Sequence, residues 1–187
     1  MGVRLYQNRP VRSNCVRPAA VALDAHRHRP DNVCVPAPNG QTGDEPVLVS
    51  ACLLGLRTRY DGAHRRREDV VRMLGSCRLV PVCPEQLGGL ATPRPPAELD
   101  SGDGGAVLDG CARVIAAGGA DVTGPYLQGA ELTAQMAELL GARRAILKEG
   151  SPACGVRRIR RHGEDVEGCG VTAALLRRRG VQVEGRE

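Results

Sequence analysis

Apolar positions begin to form a pattern at Val47. Val47-Leu-Val-Ser-Ala-Cys-Leu53, Arg78-Leu-Val-Pro-Val-Cys83 and Arg144-Ala-Ile-Leu-Lys148 are short apolar runs without polar alternation. Runs of this kind predict strands buried on both faces, as in a parallel sheet covered by helices. Between them the period lengthens. Glu68 to Leu74 places Val70, Val71 and Leu74 on one helical face. Thr123 is positioned to cap a helix whose Leu132, Met136, Leu139 and Leu140 form a stripe, with Gly141 as its stop. Thr172 to Arg179 predicts a short helix ended by Gly180, with three arginines in the last turn where cations suit the dipole, and Val181-Gln-Val-Glu184 a closing strand. Pro84 to Pro96 reads as a proline-rich loop. Asp109-Gly110, flanked by Ala106-Val-Leu108 and Ala112-Arg-Val-Ile115, is a favoured two-residue hairpin turn.

Strands alternating with helices predict an α/β domain over residues 47–187: a three-layer, mostly parallel, Rossmann-like sheet with a small β-hairpin excursion. Residues 1–46 show no period, are rich in Arg, Pro and Asn, and end in the breaker-rich stretch Pro36 to Pro46. They are expected to form a disordered tail.

Composition narrows the chemistry. With 2% aromatic residues and no Phe or Trp, the core has to be built from Leu, Val, Ile and Ala, and no aromatic platform exists for stacking bases. The formal charge is +5, and of the 26 basic residues Lys148 is the single lysine. A mild basic excess fits a phosphorylated substrate or RNA without requiring either. Eight cysteines are many for this length. The opening residues lack the apolar run of a secretory signal, and no stretch reaches membrane-spanning length. Reduced thiols in a cytoplasmic protein are therefore expected, rather than a disulfide scaffold.

Cys52, Cys83 and Cys154 share one context, each at or a few residues beyond the C-terminal end of an apolar run and followed by a loop. In an open α/β sheet those ends line the usual ligand crevice, so cysteines 31 and 71 positions apart can converge. Three separately buried structural cysteines are the alternative. Two details favour convergence. Pro84 directs the chain out of the sheet and fixes where Glu85 emerges, and Gly150-Ser-Pro-Ala-Cys-Gly155 is a loop able to wrap backbone amides around an anionic centre.

Five blocks then carry a resemblance: Val49-Ser-Ala-Cys-Leu-Leu-Gly55 with Arg59-Tyr-Asp-Gly62; Val80-Pro-Val-Cys-Pro-Glu-Gln-Leu-Gly-Gly89 with Thr92-Pro-Arg-Pro-Pro-Ala-Glu98; Asp121-Val-Thr123 with Gly129-Ala130; Ala145-Ile-Leu-Lys148 with Ser151-Pro-Ala-Cys-Gly155; and Gly170-Val-Thr-Ala-Ala-Leu-Leu176. In this order they resemble the thiouracil desulfidase family across about residues 47–185. The resemblance implies a 4Fe-4S cluster on Cys52, Cys83 and Cys154, and removal of sulfur from a thiolated pyrimidine without net redox change. Many members have a second cysteine where this chain has Thr58, so that position supplies no ligand here. Cys169, flanked by glycines, is an outside candidate for the site.

On that reading Glu85 is the expected base or water-orienting group, Ser151 a hydroxyl relay and Lys148 a stabiliser of developing negative charge. Arg94, held between prolines, is expected to contact a substrate phosphate or carbonyl, with Arg59 and Asp61 in similar parts. Arg157 to His162 reads as a solvated loop or a phosphate contact. The expected partner is a small-molecule thiopyrimidine, thiouracil or 4-thiouridine monophosphate. RNA, as thiolated tRNA, is the less favoured substrate, and no membrane is involved. The alternatives are a zinc or thiol-based site, disfavoured by the lack of any Cys-x-x-Cys pair, and a non-catalytic nucleotide-binding module.

Overall fold

A computed structural model of the chain describes residues 45–187, so the disordered tail expected over 1–46 falls almost entirely outside the described residues. Four strands, β1 (Pro46–Ser50), β2 (Arg78–Val82), β5 (Arg144–Lys148) and β8 (Gln182–Arg186), form one parallel sheet in the order β2-β1-β5-β8. Their side chains alternate between two buried faces. Val47, Val49 and Ile146 meet Leu53, Val70 and Cys77 on one side. Leu48, Ala145 and Leu147 face the larger core on the other, with Tyr126, Ala130 and Leu176. Double burial is why these strands carry no polar alternation. The small face is covered by α1 (Glu68–Val71) and flanking 3-10 turns. The large face is covered by α3 (Gly104–Leu108), α4 (Thr123–Leu140) and α5 (Val171–Arg178). The fold is the expected three-layer α/β arrangement.

Several local expectations are corrected. The hairpin at Asp109-Gly110 does not form. Asp103 accepts hydrogen bonds from the N–H groups of Gly105 and Ala106 at 2.9 and 3.2 Å, and this cap starts helix α3 where a strand was expected. The following strand, β4 (Val114–Ala116), pairs instead with β3 (Ala97–Leu99). The hairpin excursion is β6 (Arg158–Arg161) with β7 (Glu164–Glu167), within the arginine run read as a loop; Ile159 is its buried anchor. In the first helix, Val70 is buried but Leu74 is exposed, because the helix tightens to a 3-10 turn after Val71 and loses the i, i+4 alignment. Thr123 does not cap α4: its hydroxyl accepts from the Val114 N–H at 2.9 Å, while Asp121 accepts from the Thr123 N–H at 2.9 Å.

The stripe expected on α4 is also displaced. Leu139 is 85% exposed, and the buried face is Tyr126, Gly129, Ala130, Thr133, Ala134 and Ala137. Small side chains let another backbone come close. A Cβ on Gly129 would overlap the carbonyl oxygen of Pro84, and one on Gly88 would overlap that of Pro125. Helix α2 (Pro84–Leu87) is thus seated on α4 with nothing between the two backbones, which fixes the segment that follows β2.

Gly129→Ala is expected to destabilise the protein by about 1–3 kcal/mol through overpacking, although alanine is the better helix former by roughly 1 kcal/mol. Urea or thermal melting checks this; an unchanged or raised midpoint would show that α2 is not seated on α4 in this way.

Candidate active site

Strand β1 lies between β2 and β5, so the chain reverses its progress across the sheet around it, and a crevice opens outside the strand ends. Cys52 lies in the 3-10 turn Ala51–Leu54 directly after β1. Cys83 follows β2 at the cap of α2, with Pro84 in the first helical position where its missing N–H costs nothing. Cys154 sits in the loop after β5. All three line one cavity of about 170 Å³, together with Arg59, Glu85, Arg94, Lys148 and Ser151. Of the site residues expected from sequence, Asp61 does not line it.

The loop carrying Cys154 is fixed from several sides. The Ser151 hydroxyl accepts from the N–H groups of Ala153 and Cys154, both at 3.1 Å. Glu149, 3% exposed, accepts from the N–H groups of Val156, Arg157 and Arg158 at 2.9, 3.1 and 3.2 Å. At the start of α5, the N–H groups of Val171 and Thr172 donate to the carbonyls of Pro152 and Ala153, both at 2.9 Å. Gly170 has no room for a Cβ against Ala153, so α5 abuts the loop directly. Ser50 links loop to sheet: its hydroxyl accepts from the Lys148 N–H at 3.0 Å and donates to the Cys154 sulfur.

Burial dominates the thiols. It pushes Cys52 up to about 11, reinforced by Cys83 and opposed by Lys148 and Arg59. Burial also raises Cys154, against the Ser50 hydroxyl, with Cys83 and Cys52 adding to the rise. The three sulfurs therefore sense one another's charge. Burial thus favours the protonated form of Cys52 and Cys154. Lys148, whose own pKa is lowered by burial, donates its ammonium to the Glu149 carbonyl at 2.6 Å. Arg59 is held by Asp61 through two hydrogen bonds of 3.1 and 2.9 Å, and this pairing is the main cause that keeps Asp61 at about 2. Asp61 thus orients Arg59.

Glu85 is clamped. Arg94 places Nε at 2.7 Å and Nη2 at 2.6 Å from its Oε2. The remaining guanidinium donors reach the carbonyls of Ala91 and Thr58 and the Thr92 hydroxyl at 3.1, 3.2 and 3.0 Å. All the Arg94 donors are thus engaged by protein groups. Tyr126 is buried on α4 beside Glu85, and burial, followed by the Glu85 charge, raises the tyrosine pKa well above its ordinary value. Tyr126, Ser50 and Glu149 were not anticipated from sequence. A tyrosine inside an otherwise small-residue helix face needs a partner for its hydroxyl, and that was the available signal.

The donor set suits a cluster. Cys52, Cys83 and Cys154 are free thiols on one cavity. No three His, Cys, Asp or Glu side chains among the described residues are close enough to share a single metal ion. Lys148 and Arg59 stand close enough to Cys52 to offset thiolate charge, as a cysteine-bound cluster would need. Cys169 is also a free thiol but lies 3.5 Å from the Asp103 carboxylate, outside the cavity lining.

Fold and cavity thus define an α/β protein whose strand-end rim gathers three thiols with Glu85, Ser151, Lys148, Arg59 and Arg94. The sequence model of the 2-thiouracil desulfurase family matches residues 47–187, and the chain belongs to that family. It is 44% identical over 140 residues to the uncharacterized protein YbbK of Bacillus subtilis (strain 168), covering 73% of this chain and 93% of that one. Among solved structures it is similar to the 4Fe-4S-dependent thiouracil desulfidase TudS, with a TM-score of 0.65 and 43% identity over 76% of this chain and 91% of that one.

Burial tends to raise Glu149, but the backbone N–H groups it accepts from and Arg157 outweigh that and hold it below the ordinary 4.5. A depressed carboxyl contributes stability above its unfolded pKa and loses it as pH falls through the folded value. Glu149→Gln is expected to cost about 1–3 kcal/mol at neutral pH. The gap to wild type should close as pH falls from about 5 toward 3 in denaturation series; a pH-independent gap would contradict a charge-based anchor.

Proposed function

We propose that this chain is a thiouracil desulfidase that replaces the sulfur of a thiolated pyrimidine with oxygen from water, using a 4Fe-4S cluster held by Cys52, Cys83 and Cys154. The observation that carries the reading is the meeting of these three thiols with Glu85, Ser151 and Lys148 in one cavity, in a chain of the 2-thiouracil desulfurase family. A cluster bound through three cysteines has one iron free of protein ligands, and that iron supplies a soft Lewis-acidic position preferring thiocarbonyl sulfur to carbonyl oxygen.

The chain's own residues do the rest. Glu85 accepts a proton from the water that adds to the thiocarbonyl carbon. Ser151, already accepting from two backbone amides, turns its own proton toward the cavity. Lys148 and Arg59 offset the negative charge that builds as the C–S bond breaks. The balance needs no oxidant or reductant: the ring carbon exchanges C=S for C=O, and sulfur leaves as hydrogen sulfide with both protons of water.

The substrate we favour is a small thiopyrimidine, free base or monophosphate, with thiolated tRNA as the weaker candidate. The cavity lining holds Tyr60 and Tyr126 as its aromatic residues, and Tyr126 is buried on α4. Free thiols and an oxygen-sensitive cluster suit the cytoplasm. No helix among the described residues is long and apolar enough to cross a membrane.

Anaerobic purification should yield a brown protein that releases sulfide from thiouracil. Cys52→Ala, Cys83→Ala and Cys154→Ala should each lose iron and all measurable turnover. Glu85→Gln should retain iron while kcat falls on the order of 10²–10⁴-fold. Turnover surviving in all three cysteine variants would remove the cluster from the reaction. Sulfide release compared across thiouracil, 4-thiouridine monophosphate and thiolated tRNA ranks the substrates.

A further inference from the structure

We propose that Arg94 and Tyr126 are positioning residues that together lock the Glu85 carboxylate in a single orientation toward the cavity. The inference rests on the reading of Glu85 as the proton acceptor and adds how its geometry is enforced.

Three observations converge. First, Arg94 directs both Nε and Nη2 onto the same carboxylate oxygen, Oε2, at 2.7 and 2.6 Å. Its side chain is 6% exposed and that of Glu85 15%, so the pair is largely removed from water. Second, the other guanidinium donors end on the Ala91 and Thr58 carbonyls and the Thr92 hydroxyl, which fixes the guanidinium plane from three sides. With every donor occupied, Arg94 cannot turn to a substrate without breaking a buried bond. Third, Tyr126 stands buried on α4, the helix on which α2 is seated through Gly88 and Gly129, and lines the same cavity as Glu85, close enough to feel its charge.

A glutamate side chain samples several rotamers, and its terminal torsion is broad. Arg94, on the loop before β3, holds one carboxylate oxygen, and Tyr126, on α4, bounds the side chain from a second element. Oε2 is committed to Arg94, so Oε1 is the oxygen left for the reacting water. A clamp that served stability alone would not need Glu85 and Tyr126 on the cavity wall, where both stand. Thr58 adds a link, since its carbonyl accepts from Arg94 and also, at 3.6 Å, from the Cys83 thiol two residues before Glu85.

The test is a double-mutant cycle on the anaerobically purified, iron-loaded enzyme: Glu85→Gln, Tyr126→Phe and the pair, with Arg94→Lys as a second probe of the clamp. Tyr126→Phe keeps the ring and its packing. It is expected to lower kcat for thiouracil on the order of tenfold to a hundredfold, the scale of a misplaced catalytic group, with KM, iron and acid-labile sulfide content unchanged. In the Glu85→Gln background it should cost nothing further. Arg94→Lys, which keeps the charge but not the fork, should reproduce the kcat loss where its melting profile and iron content match wild type. Full additivity of the two substitutions, or an unchanged kcat in Tyr126→Phe, overturns the clamp. An unchanged kcat in Glu85→Gln overturns instead the assignment of Glu85 as base, so the two failures are told apart.

Discussion

The parallel pairing of β1 with β2 on one side and β5 on the other governs everything else in this molecule. Parallel strands end at the same rim, and here the three that carry cysteines are immediate neighbours. Residues that are distant along the chain are therefore delivered to one place by the backbone hydrogen-bond ladder itself. The ladder sets direction but not final separation. That is set by contacts in which backbone meets backbone: Gly88 and Gly129 seat the segment bearing Cys83 and Glu85, and Gly170 seats the start of α5 against the loop of Cys154. A side chain at any of these points would push the backbones apart and shift the cysteine segments they seat.

Electrostatically the cavity resolves a conflict. Burial opposes ionisation of Cys52 and Cys154, and each sulfur's charge opposes the next. Cys52 and Cys154 are thereby held toward the protonated form, and any thiolate formed there needs a counterweight. Arg59 and Lys148 stand where they act on Cys52, and each is held by a partner of its own, Asp61 and the Glu149 carbonyl. Their charges are thus preorganised beside the thiol rather than recruited to it.

Legibility in the sequence followed how local each signal was. Apolar runs ending in Cys52, Cys83 and Lys148 report double burial directly, so the sheet, its layers and the rim could be read from them. Elements set by competition could not. Asp103 and the Asp109-Gly110 turn both make claims on residues 103–110, and the helix cap won because β3 took β4 as its partner. The α4 stripe was misread because its buried face is made of Gly, Ala and Thr, chosen for closeness rather than hydrophobicity, while Leu139 points to water. Arg94 was placed in the right cavity, but five donors spent on protein groups are invisible in a string of letters. So are Ser50 and Tyr126, whose importance lies in which atoms they reach.

Residues 148 and 149 show why the site behaves as one body. Lys148, the chain's single lysine, ends β5 and sends a compact ammonium onto the Glu149 carbonyl at 2.6 Å. The Glu149 side chain in turn gathers the amides of Val156, Arg157 and Arg158 just beyond Cys154. A guanidinium at 148 would demand a planar, forked partner, and one carbonyl oxygen does not provide it. A point charge is satisfied by that oxygen and leaves its remaining donors toward the cavity. Because the cation and the cysteine loop are tied through the same two-residue step at the end of one strand, neither can shift without the other. Charge and geometry at the rim are thereby set together.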